Sequence, residues 1–370
     1  MESGIVRILK EKENDLLSKL PFDQYSRQKI VSYLIDESFR KKQKNKRLKI
    51  IDVGGYNGKT VEFQPIDDVT VLDVFDKKIK NYVKGTALNM QFQNNEFDIV
   101  CSFDVFEHIP RDKRKAFINE ALRVSRLGVF LSIPVDINNK VSSAEILLND
   151  FYVELTGKDH KWLKEHIDYK IPNDFEIRKL IKQSGASMVE LPSNQLGDWQ
   201  MMQMLLFMSS TINDITGEVN NINTWYNKNT LYLDSAVDVG YRKIIFISKN
   251  KEHTDTVGEV IRKLKRTNSN QVLMTVNKKT FIEFTRTLSL VSRKYYQLSE
   301  NYRLRTPKAK KELIEEIDNL RKDLKEIEKK NNILKKELRN IYDSKSWRLI
   351  HKLRHIKDAF KPLKDIHDKE

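Results

Sequence analysis

The chain has 370 residues, a formal net charge of +15 and a single cysteine, Cys101. One cysteine excludes a disulfide framework, so we expect a reducing compartment such as the cytoplasm. The longest apolar run, residues 201–208, is far shorter than the ~20 residues that span a bilayer, and we interpret it as a core helix. The length accommodates one domain of about 250 residues plus an appendage.

The first predicted strand ends in a glycine-rich turn. In "KIIDVGGYNGKT", residues 49–60, a short apolar run precedes Asp52, and Gly54, Gly55 and Gly58 follow. Glycines let the backbone turn tightly and approach a ligand closely. The spacing is not the G-x-G-x-x-G of dinucleotide-binding proteins. A carboxylate ahead of the glycines suits a ligand with a cationic ammonium group better than a pyrophosphate.

Further strands and a helix follow in alternation. "VTVLDVFD" is a second strand that reaches Asp73, the position of the acid that bonds ribose hydroxyls in doubly wound folds. "NYVKGTAL" is a third strand, and "FDIVCSFDVFEHIP" is a fourth that runs into a charged loop. The helix "KRKAFINEALRVSRLG" and the strand "VFLSIPV" continue the series. This alternation predicts an α/β domain with a parallel sheet.

These stretches resemble class I S-adenosylmethionine-dependent methyltransferases. The resemblance lies in "FDIVCSFDVFEHIP" and "RVSRLGVFLSIP"; it covers residues 20–135 well and extends more weakly to about residue 250. It implies a Rossmann-like, seven-stranded α/β domain over residues 1–250, with S-adenosylmethionine as the cofactor.

The same resemblance implies the residues of the cofactor site. Asp52 and Gly54 would lie near the methionine part of the cofactor, Asp73 would hold its ribose, and "GTALNM" would lie against its adenine. The expected set is Asp52, Gly54, Gly55, Gly58, Asp73, Thr86, Ala87, Leu88 and Asp104. Two departures from the family pattern bear on cofactor affinity: Tyr56 replaces a usual glycine, and Thr86 replaces a frequent aspartate.

A histidine-rich segment follows the predicted sheet and is expected to select the acceptor. "GKDHKWLKEHIDYK" brings His160, Trp162, Glu165 and His166 close together. Similar "H-x-W-L-x-E-H" segments, and a "P-F-D-Q-Y" like residues 21–25, occur in methyltransferases of bacterial cell-surface polysaccharide synthesis. The histidine spacing is not the i, i+4 of a helical zinc site, so this segment does not predict metal ligands.

Three histidines are candidates for a catalytic base. In methyl transfer the sulfonium is already a strong electrophile, so the protein mainly aligns the reactants. A sugar hydroxyl is a poor nucleophile at neutral pH and benefits from a base. His108 follows the fourth strand at the edge where ligands bind in such sheets, and it is the first candidate. Its alternative role is to brace the loop, and His160 and His166 are the next candidates.

A heptad pattern occupies residues 311–342. Apolar residues recur at alternating steps of four and three from Leu313 to Ile341, and Asn331 takes an a position. A buried Asn at a favours two parallel strands, so we expect a parallel coiled-coil homodimer. The alternative is one amphipathic helix folded back on the globular domain. Residues 251–310 are then a helical connector.

The last segment, residues 343–370, is basic. Residues 345–364 contain seven Lys and Arg residues, and Asp358 is the one acidic residue among them. "SKSWRLIHKLRHIKDAFKPLK" suits a helix on an anionic membrane surface, and the alternative is a disordered cationic tail. The segment also resembles the terminus of bacterial polysaccharide glycosyltransferases and methyltransferases.

The sequence therefore predicts a methyltransferase that O-methylates a saccharide or glycan intermediate of cell-surface polysaccharide biosynthesis. We expect it in the cytoplasm, peripheral to the inner membrane face. One alternative is an RNA methyltransferase with the basic tail as its arm, but the tail has few aromatics for base stacking, so nucleic acid is not the expected partner. The other alternative is a non-catalytic membrane-associated assembly protein.

Overall fold

A computed structural model describes residues 15–43, 47–78, 80–211, 216–235, 237, 239–266, 318–330, 332, 333 and 336. The chain divides into two units, Met1–Leu290 and Val291–Glu370. Within the described ranges, no helix has both the length and the apolar character needed to cross a membrane.

The first unit contains a seven-stranded sheet. Its strands are β1 Lys49–Val53, β2 Asp68–Asp73, β3 Tyr82–Lys84, β4 Phe97–Phe103, β5 Ser125–Pro134, β6 Ser187–Gln195 and β7 Gly240–Ser248. They lie in the order β3-β2-β1-β4-β5-β7-β6. Neighbours from β3 to β5 pair in parallel, whereas β7 is antiparallel to both β5 and β6. The sheet confirms the predicted Rossmann-like α/β fold.

The helices of this unit connect the strands and cover the sheet. They are α1 Phe22–Ile35, α2 Lys59–Phe63, α3 Arg114–Val124, α4 Lys140–Thr156, α5 Lys161–Tyr169, α6 Asp174–Gln183, α7 Leu196–Thr211 and α8 Thr216–Ser235. Residues 251–266 are also helical. The helix predicted in "KRKAFINEALRVSRLG" ends earlier than the pattern suggests, because Ser125 already pairs with Phe97 as the start of β5.

Successive side chains of a strand point to opposite faces of the sheet, so an apolar cluster packs on each face. On one face Ile51 packs in a cluster with Phe117 of α3. On the other face Ile50 packs in a cluster with Ile30 of α1 and Val257 of the helix at residues 251–266. Each such buried side chain contributes about 1.5–3 kcal/mol. The first part of the predicted connector therefore packs on the sheet.

The order of the strands reverses between β1 and β4. In open α/β sheets, ligands bind beside the carboxyl ends of the strands at such a reversal. The glycine turn after β1 and the loop after β4, which were both singled out from the sequence, lie at this point.

In the second unit, residues 318–330 are helical. Leu320, Leu324 and Ile327 of this helix are 45%, 45% and 51% exposed, so the described chain leaves its apolar positions uncovered. Asn331, the flanking heptad positions Leu313 and Ile341, and the basic segment 343–370 lie outside the described residues. The coiled coil and the membrane-binding tail stay predictions.

Candidate cofactor and acceptor site

A cavity of about 910 Å³ lies at the carboxyl ends of β1, β2 and β4. This volume is near the upper end of the ~300–1,000 Å³ of ligand pockets, which leaves room for two ligands. One side, here called the loop wall, comes from the loops after β1, β2 and β3 and includes Gly54, Tyr56, Asp73, Phe75 and Ala87. The other side, the helix wall, comes from α4, α5 and α7 and includes Leu148, Trp162, His166, Gln203 and Phe207.

Glycine is required at two positions of the turn after β1. Gly54 has φ +81°, and a Cβ there would lie 2.3 Å from Val105 Cγ2. At Gly55 a Cβ would lie 2.2 Å from Asp52 Oδ2. Gly58, with φ +65°, precedes α2. Of these predicted cofactor residues, Gly54 lines the cavity, whereas Gly55 and Gly58 shape the turn behind it.

Asp52 lies beneath this turn and does not line the cavity. Its side chain is buried, and Oδ2 accepts a hydrogen bond from the Thr60 hydroxyl at 2.6 Å. Oδ1 has no hydrogen-bond partner among the residues that the structure describes. Burial raises the pKa of Asp52 to about 6, although the Thr60 hydrogen bond opposes this shift. Asp52 therefore supports the turn and keeps one oxygen unsatisfied.

Asp73 ends β2 and lines the cavity. Its carboxylate accepts hydrogen bonds from the backbone N–H of Tyr56 at 3.2 Å and of Phe75 at 3.1 Å. The Tyr56 ring packs edge-on against Phe75, and Lys77 Nζ lies 4.3 Å from the centre of the Tyr56 ring. The family departure at Tyr56 thus supplies an aromatic surface of the loop wall.

Only part of the segment predicted to contact the adenine lines the cavity. Ala87 lines the cavity, whereas Thr86 and Leu88 are not among the described residues of its wall. The Leu88 N–H donates to Thr86 Oγ1 at 3.2 Å. Thr86 therefore closes a local turn and engages the N–H that an adenine edge could otherwise have used.

Asp104 belongs to an ion-pair network at the edge of the cavity. It follows β4 with φ +52°, and its Oδ2 accepts hydrogen bonds from Arg27 of α1 and from Arg242 of β7. Burial alone would raise its pKa, but the two guanidinium groups outweigh it and hold the pKa below the ordinary value. Sequence reasoning placed Asp104 with the cofactor and missed both arginines, although Arg27 lies two residues after the segment 21–25.

A cluster of two histidines and three carboxyl groups lies where the loop after β4 meets α5. His108 Nε2 and His166 Nε2 are 3.4 Å apart. His166 Nδ1 contacts Glu145 Oε1 at 2.8 Å, and His108 Nδ1 contacts Glu165 Oε2 at 3.1 Å. Glu107 Oε1 is 3.9 Å from His166 Nε2. The structure thus brings together two of the three histidines predicted from the sequence.

The charges within this cluster differ from one residue to the next. Burial would lower the pKa of His166, but the hydrogen bond and charge of Glu145 raise it to about 9. Burial and the charge of His166 lower the pKa of His108. Burial raises the pKa of Glu107 to about 8. At neutral pH, His166 is therefore charged and His108 is neutral.

Arg114 fixes the short turn that carries this cluster. Its fully buried guanidinium donates to the carbonyl oxygens of Ile109 at 3.1 Å, Glu107 at 3.3 Å and Lys170 at 3.2 Å. It thereby joins the loop after β4 to the end of α5. Arg114 therefore braces this loop, and the alternative bracing role of His108 stays open.

His160 is set apart from that cluster in an aromatic group. Its ring lies 4.9 Å from that of Tyr152 and 4.8 Å from that of Phe207, and edge-on to Trp162 at 5.7 Å. Burial lowers its pKa. His160 lines the cavity and forms part of the aromatic surface of the helix wall.

Part of the chain is similar in sequence to known methyltransferases. A sequence-family model described as a methyltransferase domain matches residues 57–133. No curated protein matches the chain.

Several solved structures are similar to the chain. A Bacillus halodurans protein described as a "putative methyltransferase" shows 16% identity over 54% of this chain and 91% of its own, with a TM-score of 0.30. The plantazolicin methyltransferase BpumL, in complex with SAH, shows 14% identity over 68% and 92%, with a TM-score of 0.38. Magnesium protoporphyrin IX methyltransferase from Synechocystis PCC 6803, with bound SAH, shows 11% over 60% and 84%, with a TM-score of 0.36.

The strand order, the cavity at the β1–β4 reversal and the family match define the class of the protein. The chain contains a class I S-adenosylmethionine-dependent methyltransferase domain. The residues of the loop wall fit this cofactor: Gly54 leaves the turn free of a side chain, and Asp73 ends β2 at the cavity. Asp52 lies beneath the turn and outside the wall, and its Oδ1 has no hydrogen-bond partner among the described residues.

Proposed function

We propose that the domain transfers a methyl group from S-adenosylmethionine to a hydroxyl oxygen of a saccharide or glycan intermediate in cell-surface polysaccharide biosynthesis. The observation that carries this proposal is the helix wall, which adds histidine, aromatic and amide side chains to the same cavity as the cofactor loops. A cavity of this size accommodates an acceptor beside the cofactor.

The helix wall has the chemistry that a saccharide requires. Trp162 lines the cavity and is 58% exposed, so its ring can pack against the C–H face of a sugar. Gln24 and Gln203 line the same space and can donate to and accept from hydroxyl groups. The polysaccharide pathway itself is supported by the sequence resemblances at residues 21–25, at the histidine segment and at the C-terminal end.

His108 is the residue that we assign to activation of the acceptor. Because Nδ1 is engaged by Glu165, Nε2 of His108 carries the lone pair. Nε2 of the charged His166 lies 3.4 Å from it, so the acceptor hydroxyl has to replace that contact before its proton passes to His108. The cofactor supplies a methyl group on a sulfonium, and the protein aligns the acceptor oxygen with it. Arg114 keeps the turn that carries His108 fixed against α5 while this occurs.

Labelled methyl transfer tests the acceptor class. The full-length protein is incubated with methyl-labelled S-adenosylmethionine and, in separate reactions, with lipid-linked saccharides, nucleotide sugars or total RNA. We expect label in a saccharide fraction, and Asp73→Ala serves as a control with weakened cofactor binding, in which less label should be transferred at limiting cofactor. Label in RNA alone would overturn the saccharide proposal and leave methyltransferase activity in place.

We further propose that residues 311–342 form a parallel coiled-coil dimer and that residues 343–370 bind an anionic membrane surface. The exposed positions Leu320, Leu324 and Ile327 on one described helix support the dimer. A parallel pair brings both basic segments to one end, where the second binds at high effective concentration.

Deletion of residues 343–370 should abolish binding to anionic vesicles and leave the dimer and cofactor binding unchanged. Sedimentation of the full-length chain at micromolar concentration measures the dimer, and vesicle co-sedimentation measures the tail. A full-length monomer would contradict the coiled coil. Equal binding to neutral and anionic vesicles would contradict the electrostatic role.

A further inference from the structure

We propose that Glu107, His108 and His166 form a binding site for a divalent transition-metal ion beside the acceptor. The inference rests on the proposed function and names the agent that activates the acceptor hydroxyl at this cluster. It assigns a metal to residues that the sequence spacing did not connect, because Glu107 and His108 come from the loop after β4 and His166 comes from α5.

The donor atoms have the separation that one ion requires. One ligand atom from each of the three residues lies within 4.8 Å of the others. The two Nε2 atoms are 3.4 Å apart. Two nitrogens each about 2.1 Å from one ion at a tetrahedral angle are also about 3.4 Å apart. Two imidazoles and one carboxylate suit ions such as Zn²⁺, Co²⁺ or Fe²⁺.

The surroundings of the two histidines match those of metal ligands. A metal-binding histidine almost always donates its other ring N–H to a carboxylate, a carbonyl or a water, which fixes the ring and its tautomer. Here Glu145 engages Nδ1 of His166 and Glu165 engages Nδ1 of His108. Tyr241 in turn donates to Glu145 at 2.6 Å. Both Nε2 atoms are thereby left to face each other.

The unsatisfied carboxyl group of Glu107 is an independent indication that this cluster binds an ion. Its side chain is 1% exposed, and neither carboxyl oxygen has a hydrogen-bond partner in the part of the chain that the structure describes. An unsatisfied buried carboxyl group is costly. An ion held between Glu107 and the two histidines would satisfy it.

The site is open toward the acceptor. His108 and His166 both line the cavity, so coordination positions that the protein leaves free are available to an acceptor oxygen. A bound ion lowers the pKa of a hydroxyl on it. The hydroxyl proton then passes to water, the oxygen electron pair forms the bond to the methyl carbon, and the carbon–sulfur pair stays on sulfur. With the ion bound, His108 acts as a ligand and no longer accepts the proton itself.

Metal titration tests this site without cofactor or acceptor. The full-length protein is stripped with EDTA, dialysed, and titrated with Zn²⁺ by calorimetry and with Co²⁺ by visible absorption. We expect one ion per chain in this site. Glu107→Gln and His166→Asn should weaken its binding by at least 100-fold, and Glu165→Gln, at a half-exposed position, by about tenfold.

Two controls separate this site from other histidines. His160→Asn removes a histidine of the same cavity outside the cluster. The double variant His351→Asn, His355→Asn removes the pair spaced four apart in "HKLRHIK". Both should keep the ion. Binding that is lost in the double variant and retained in Glu107→Gln would overturn the proposal, as would the absence of stoichiometric binding to the wild type.

Failure of the metal site is distinguishable from failure of the proposed function. If the wild type binds the ion and the cluster variants do not, the metal site stands even when no saccharide is methylated. If saccharide methylation continues at full rate after EDTA and no ion binds, the metal site is wrong and the proposed function stands. Thermal melting of Glu165→Gln checks that a loss of binding does not reflect unfolding.

Discussion

The two walls of the cavity are built differently. The loop wall relies on main-chain geometry, with glycines that admit no side chain and one carboxylate at a strand end, and its residues lie between Val53 and Ala87. The helix wall relies on side chains from α4, α5 and α7, which follow the central strands in sequence. Cofactor binding is thus tied to the sheet, and under the proposed function the acceptor-binding helices can vary without disturbing the cofactor site.

The strongest test of the turn that supports the loop wall is Asp52→Asn. The pKa of Asp52, about 6, exceeds its ordinary value. The contribution of Asp52 to the free energy of unfolding is therefore present at low pH and is lost as the pH rises through about 6. The asparagine variant should lack this decline and be more stable at pH 7 by on the order of 3 kcal/mol, at 1.36 kcal/mol for each pKa unit. Urea unfolding at pH 4.5 and pH 7 measures this.

The same variant should bind S-adenosylmethionine more weakly, because the carboxylate is expected near the ammonium group. A variant that is more stable and binds less well would show that the acid beneath the glycine turn is kept at a cost in stability. Unchanged pH dependence of unfolding would contradict the burial argument.

His108→Asn tests the separation of the two walls from the acceptor side. Loss of this imidazole should lower turnover by about 10²-fold, whether it acts as base or as metal ligand, while the Kd for S-adenosylmethionine stays unchanged. Initial rates and calorimetry measure the two quantities. A parallel loss of cofactor affinity would mean that the walls do not work independently.

Asp73→Ala is the matching change in the loop wall. Loss of a charged hydrogen bond to the ribose, typically about 1.5–3 kcal/mol, should weaken S-adenosylmethionine by tenfold or more. Asp76→Ala, whose side chain is 81% exposed in the same loop, is the control and should bind normally. Equal affinity in the Asp73 variant and the wild type would place the cofactor elsewhere.

Tyr56→Gly restores the usual family residue and should have the smallest effect. The variant loses the edge-on contact with Phe75, a kind of contact worth about 0.5–1.5 kcal/mol. Calorimetry should therefore show a modest loss of cofactor affinity. A gain in affinity would identify Tyr56 as an obstruction of the turn.

Local patterns explain why the loop wall could be predicted. The strand ends, the glycine turn and Asp73 are adjacent in sequence to the elements that position them, so the sheet and its ligand edge follow from the pattern. The hydrogen bond from the Leu88 N–H to the Thr86 hydroxyl could not be predicted from the sequence. A side-chain turn of this kind has no periodic signal.

The helix wall could be predicted only in part. His108 and His166 were named, but their contact depends on how α5 packs against the turn held by Arg114. Glu107 is adjacent to His108 in the sequence, and this pair is the sequence feature that could have indicated the cluster. The spacing argument against a metal considered one segment alone and did not weigh Glu107 and His108 from the loop after β4.

A crystal structure with S-adenosylhomocysteine tests the central claim most directly, namely that one cavity holds cofactor and acceptor on opposing walls. We predict the ribose at Asp73, the homocysteine part at Gly54, and the sulfur facing His108 and His166 with space for an acceptor oxygen about 3 Å from the methyl position. A ligand whose sulfur is separated from His108 and His166 by protein atoms would contradict the account.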